Sequence, residues 1–194
     1  MPAITRRFLV SIFLSGLSFC LLSCAEKKYS LSASRDIQMT ATEKHNKIPL
    51  RAALYIKPQP IVIPEVLKFD LASAFSTGCE RMLKNIFREV GSAGLSEKQE
   101  FDVMVKPKII RWGVQGPYRR FWVNLDVVWT ICNPDGKTIY FSTVKSEIER
   151  NVPALSTSET KVNELKTGYI LSMNDQLLRA QEDIYSSKWW TGKW

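Results

Sequence analysis

Few side chains in this chain could do chemistry: four cysteines, one histidine and 19 acidic residues among 194. An enzyme would need a nucleophile beside a base, paired acids in a cleft, or a metal cluster. His45 lies in a polar connecting segment, so a histidine-based triad would have no fixed base. No C-x-x-C pair or His/Cys cluster with metal-ligand spacing occurs. The G-x-S-x-G elbow, phosphate-binding glycine loops and metalloprotease helix motifs are absent too. Asp126 could be a buried acid on a strand, but the mixed face it shares reads as solvated surface, and Glu147 and Glu149, flanking Ile148, read the same way. The expectation is a protein without catalytic residues, metal or cofactor.

Cys24 is placed differently. It closes the stretch Leu21-Leu22-Ser23-Cys24, behind Arg6-Arg7 and an apolar run from Phe8 to Leu22. A basic start, an apolar middle and a small residue before the cut are the parts of a secretory signal. The run is short for a membrane span, which takes about 20 apolar residues. With aliphatic Leu21, small Ser23 and the thiol of Cys24, the stretch resembles the lipobox of bacterial lipoproteins. That resemblance implies cleavage between Ser23 and Cys24, a diacylglyceryl group on the thiol and acylation of the new amino end. Two or more chains anchor stably where one is marginal, at about 0.8 kcal/mol per buried methylene. Cys20 competes, but Phe19 before it is bulky for a cleavage position. The stretch has two other readings: an uncleaved N-terminal anchor, or a plain secretory signal with a coincidental cysteine. No aspartate follows Cys24 directly. In enterobacterial lipoproteins that goes with forwarding to the outer membrane, so the expected place is the outer membrane, facing the periplasm.

Removing residues 1–23 takes Arg6 and Arg7 from the 27 basic residues and leaves 25 against 19 acidic ones, a net charge of +6. A basic excess outside the cytoplasm favours phospholipid headgroups or lipopolysaccharide and disfavours nucleic acid as a partner. The remaining length of about 170 residues suits one domain with its own core. Apolar residues at 45% and charged ones at 24% are ordinary globular values.

Residues 24–47 read as a lipidated tether, polar and without a sustained period. Arg51 to Ile56 reads as the first strand, closed by Pro58, Pro60 and Pro64. Phe75, Cys79, Met82, Leu83, Ile86, Phe87 and Val90 recur every three or four residues, which predicts a helix capped at Gly91. Phe101 to Trp112 alternates as a strand, although Pro107 inside it argues for an edge, a bulge or an early end. Phe121, Val123, Leu125, Val127, Trp129 and Ile131 form one apolar face of the strongest strand. Asn133-Pro134-Asp135-Gly136 is a tight turn into a strand running to about Arg150, with a phase shift between Phe141 and Val144. Ser156 and Glu159 offer a capping box for a closing helix whose buried stripe runs from Val162 to Ile184.

These elements predict an α+β domain over residues 48–187: an antiparallel sheet of about four strands with two amphipathic helices on one face. Cys79 and Cys132 then point to opposite sides of the sheet, too far apart to pair. The candidate contacts are the basic pair Arg119 and Arg120 and the tail 188–194, with Trp189, Trp190 and Trp194 beside Lys188 and Lys193. Such a tail suits a membrane interface or an anchor in a partner, or it folds back over the core.

The signal, tethered strand, amphipathic helix and closing helix, with Leu125-Asp126-Val127-Val128-Trp129-Thr130 continuing to Asp135-Gly136-Lys137, resemble the auxiliary lipoproteins of ABC-type intermembrane lipid transport. Less closely they resemble lipopolysaccharide-assembly lipoproteins. The resemblance implies docking onto envelope proteins and lipid without catalysis. The tryptophan tail and the proline-rich loop depart from that pattern. Two other functions stay open at this point: a receptor for a small apolar ligand held between sheet and helices, and a carboxylate-based envelope hydrolase.

Overall fold

The computed structural model describes residues 46–57, 71–92, 101–117 and 119–192. Ser23, Cys24, His45, the prolines from Pro58 to Pro64 and Trp194 lie outside the described residues. Strand β1, Ile48–Leu54, starts three residues before the expected Arg51. Helix α1, Leu71–Ile86, buries Phe75, Cys79, Met82, Leu83 and Ile86 along the expected stripe.

At Ile86 the chain departs from the expectation. The rhythm of threes and fours continues through Phe87 and Val90, yet Phe87–Ser92 is strand β2, following α1 without a loop. Phe87 would be buried in either geometry; pairing with β1 decides between them. The remaining elements are β3, Val103–Gln115, β4, Arg120–Cys132, β5, Thr138–Asn151, helix α2, Ser158–Ser186, and a short 3-10 turn at Trp189–Thr191.

The sheet has five strands in the order β2-β1-β3-β4-β5, where about four were expected. It is mixed rather than antiparallel: β1 runs parallel to both β2 and β3, whereas β3, β4 and β5 form an antiparallel meander. Parallel neighbours need a long crossover, and α1 supplies the one between β1 and β2.

Pro107 sits inside an inner strand for a reason the hydrogen bonds reveal. The carbonyl of Val105 accepts from Tyr55 N at 2.9 Å, so odd-numbered β3 residues direct their backbone polar groups toward β1. β1 pairs with β3 only from Val103 to Val105. Pro107, lacking an N–H, therefore faces the side on which its partner strand has already ended. β3 does carry a bulge, but between Ile109 and Arg111 rather than at Pro107.

Both helices lie on one face. The Trp112 ring of β3 packs 6.3 Å from Phe75 of α1 and 5.8 Å from Tyr169 of α2, centroid to centroid. Val123, Leu125, Val127, Trp129 and Ile131 are fully buried beneath them. Gly168 marks the closest approach, since a Cβ there would stand 2.7 Å from Val123 Cγ2.

The turn after β4 forms as read, with Gly136 at φ 82° and Asn133 N donating to Lys137 O at 2.9 Å. The phase shift in β5 falls nearer the turn than expected. Cys132 faces Thr138 and Ile131 faces Tyr140, so Tyr140 and Val144 turn inward and Phe141 outward. The α2 cap is Thr157, whose Oγ1 accepts from Thr160 N at 3.2 Å; Ser156 instead donates to Pro153 O. Cys79 and Cys132 are both free and buried, and burial pushes the Cys79 thiol well above its ordinary range.

Candidate docking surface

β1, β2, β3 and β5 begin, and β4 ends, at one pole of the sheet. Chain direction thus fixes where each candidate residue lies. Arg119 and Arg120 belong to the far pole, at the turn from β3 to β4. Arg120 makes a two-pronged bond to Glu149, Nε to Oε1 at 2.7 Å and Nη2 to Oε2 at 3.2 Å, and lies 5.2 Å over the Trp122 ring. That bond holds the Glu149 carboxyl below its ordinary range. Arg119 is exposed, and its carbonyl accepts from Val152 N at 2.8 Å.

Trp189 and Trp190 occupy the near pole, so the sheet separates the two groups of expected contacts. Lys188 adopts a left-handed φ of 49°, which reverses the chain after α2. Trp189 then packs 6.3 Å from Phe87 and 6.4 Å from Tyr140, and Trp190 packs 5.1 Å from Tyr185. Both indoles are half-buried against the core, the folded-back alternative for the tail. Phe87 is the register partner of Ile48, so this turn lies where the chain enters the domain.

Directly opposed residues on neighbouring strands share a face. On the side of β3, β4 and β5 that carries no described helix, the pairings give six rows. From near pole to far they are Met104–Cys132–Thr138, Lys106–Thr130–Phe141, Lys108–Val128–Thr143, Arg111–Asp126–Lys145, Gly113–Asn124–Glu147 and Gln115–Trp122–Glu149. Asp126 was expected in solvent, but it is only 8% exposed. Its neighbours across the sheet explain this: Arg111 Nη1 lies 3.9 Å from the carboxylate on one side, and Lys145 faces it on the other. Glu147 and Glu149 are exposed, as their alternation indicated. Phe141 is 65% exposed and Ile110, in the β3 bulge, 52%.

The sequence shows Lys106, Lys108, Arg111, Arg119 and Arg120 clustered around this strand and its loop, which reads as a solvated basic surface or as a patch for anionic lipid or a partner. The register that lines those lysines up with Phe141 is not visible there. Among the described residues, no group of three His, Cys, Asp or Glu could hold a metal ion, and no helix is long and apolar enough to cross a membrane.

The fold is shared with a minor lipoprotein from Acinetobacter baumannii. The match has a TM-score of 0.51 and 11% identity over 74% of this chain and 96% of that one. An uncharacterized lipoprotein B from Nitrosomonas europaea overlays with a TM-score of 0.47 and 14% identity, over 73% of this chain and 88% of its own. No protein-family model matches the chain, and no curated protein matches it.

Proposed function

We propose that this chain is a bacterial lipoprotein, anchored through acylated Cys24, that serves as a non-catalytic docking subunit of an envelope assembly or intermembrane lipid-transport complex. The observation that carries the reading is the Leu21-Leu22-Ser23-Cys24 stretch behind its basic and apolar lead. The fold shared with the A. baumannii lipoprotein supports it. So does the sheet face that carries no described helix, where the acids do not converge: Asp126 is engaged by Arg111, and Glu149 by Arg120. The absence of aspartate after Cys24 favours the outer membrane, with the domain in the periplasm.

Metabolic labelling with palmitate, followed by mass spectrometry of the N-terminal peptide, tests the anchor. The expected product starts at Cys24 with acyl groups, and Cys24→Ser abolishes the label. A native chain that keeps Met1 and carries no acyl group overturns the proposal. In-cell crosslinking then identifies the envelope partner.

A further inference from the structure

The sheet face that carries no described helix is electrically polarised along the strands. Behind an uncharged first row of Met104, Cys132 and Thr138 at the pole where the chain enters, Lys106 and Lys108 stand in the second and third rows with Thr130, Phe141, Val128 and Thr143, and no acid. The fourth row adds Lys145, opposite an Asp126 already flanked by Arg111. The acids Glu147 and Glu149 belong to the two far rows, and Arg120 occupies Glu149. Among the described residues, no ion pair engages Lys106, Lys108 or Lys145. Two aromatic rings flank these cations. Phe141, 65% exposed, is on β5, and Tyr55, 44% exposed, follows β1, where its N–H bonds to Val105 O and sets it beside Lys106.

Lysines between exposed aromatic rings are the composition of a surface seated at a membrane interface, with rings at headgroup level and ammonium groups on phosphates. We infer that the near half of this face, Tyr55, Lys106, Lys108, Phe141 and Lys145, rests on an anionic phospholipid bilayer. Complementary charge selects that occupant. The inference deepens the lipoprotein reading and rests on it. The chain between Cys24 and Ile48 has a contour of up to about 80 Å, ample for the domain to lie down on this face.

The test uses the full acylated protein, reconstituted into vesicles of equimolar phosphatidylglycerol and phosphatidylethanolamine or of phosphatidylcholine alone. A membrane-impermeant amine reagent labels its lysines, read by peptide mass spectrometry. Labelling of Lys106, Lys108 and Lys145 should fall about fivefold or more in the anionic vesicles and recover at about 0.5 M salt, where the Debye length is a few ångströms. Lys84, on α1, should not change. Lys106→Glu/Lys108→Glu, altered at positions outside the core, should keep its melting temperature and lose the protection of Lys145.

Equal labelling in both vesicles overturns the inference. So does protection in detergent that grows with protein concentration, which marks a second copy, or protection that needs lipopolysaccharide in place of phosphatidylglycerol. The mass of the N-terminal peptide, measured on the same sample, separates the two readings. Unacylated Cys24 with protected lysines sinks the anchor and keeps the face; acylated Cys24 with unprotected lysines does the reverse.

Discussion

The Tyr140 phenol donates a 2.6 Å hydrogen bond to Asp183 Oδ2, tying the start of β5 to the last turn of α2. Burial, and then this bond, push the phenol's ionisation well above its ordinary range. Tyr140→Phe deletes the donor and should lower stability by about 1–3 kcal/mol in urea denaturation at neutral pH. The pH dependence has a definite sign. The folded phenol keeps its proton after the unfolded one has lost it, so the contribution is full below about pH 10 and is lost as pH rises toward the folded value. Tyr140→Phe should therefore flatten the alkaline limb of the stability profile; an unchanged limb would assign it to other groups, among them Tyr169, whose phenol burial also raises.

The acid limb should report Asp102. Its carboxylate accepts from Arg51 N at 2.7 Å and from the Arg51 guanidinium at 3.2 Å, closing β1 onto the start of β3. The guanidinium bond, then the backbone bond, hold the carboxyl below its ordinary range. A depressed folded value means a contribution that is full above the unfolded range near pH 4 and lost as pH falls through the folded value. Asp102→Asn should remove part of the stability difference between pH 7 and pH 3. Parallel profiles for wild type and variant would refute the assignment.

Gly168 and Gly113 make a paired test. At Gly168 a methyl would meet Val123 Cγ2 at 2.7 Å and Arg150 Cγ at 3.2 Å, whereas nothing lies within 4 Å of the corresponding point at Gly113. Gly168→Ala should cost about 1–3 kcal/mol by forcing α2 off the sheet, despite the better helix propensity of alanine. Gly113→Ala should be neutral or slightly stabilising. Similar melting temperatures for both would show that α2 shifts freely.

Truncation before Lys188 should destabilise the domain by about 2–4 kcal/mol, since Trp189 covers Phe87 and Tyr140 at the near pole. Thermal melting of truncated and full chains decides this; equal midpoints would mean the turn packs on the core without stabilising it.

Local pattern carried the elements whose burial is one-sided. β4 and α2 were legible because Val123 to Ile131 and Tyr169 to Ile184 repeat at the period of their own backbone, and Asn133 to Gly136 fixed the turn. β2 was hidden because Phe87 and Val90 extend the helical rhythm of α1, and only the distant β1 makes a strand of them. The parallel placing of β1 left no local mark either, since it depends on partners some 40 residues or more away in sequence. Of the candidate surface, the basic residues were visible. Their gathering toward one pole depends on the register of β3, β4 and β5, and the bulge at Ile110 resets which β3 residues face Asp126 and Asn124. The burial of Asp126 escaped for the same reason.

Strand β1 is made first by the ribosome, yet the ladders on its two sides, to β2 and β3, belong to segments synthesised later. The β3-β4-β5 meander, joined by short turns, can assemble before those ladders close, because contacts between distant segments form slowly. Pulsed deuterium labelling during refolding should show amides of Val123 to Ile131 protected ahead of Ala52 to Leu54. The oldest strand thus completes the sheet, docking onto a body that later residues have already built.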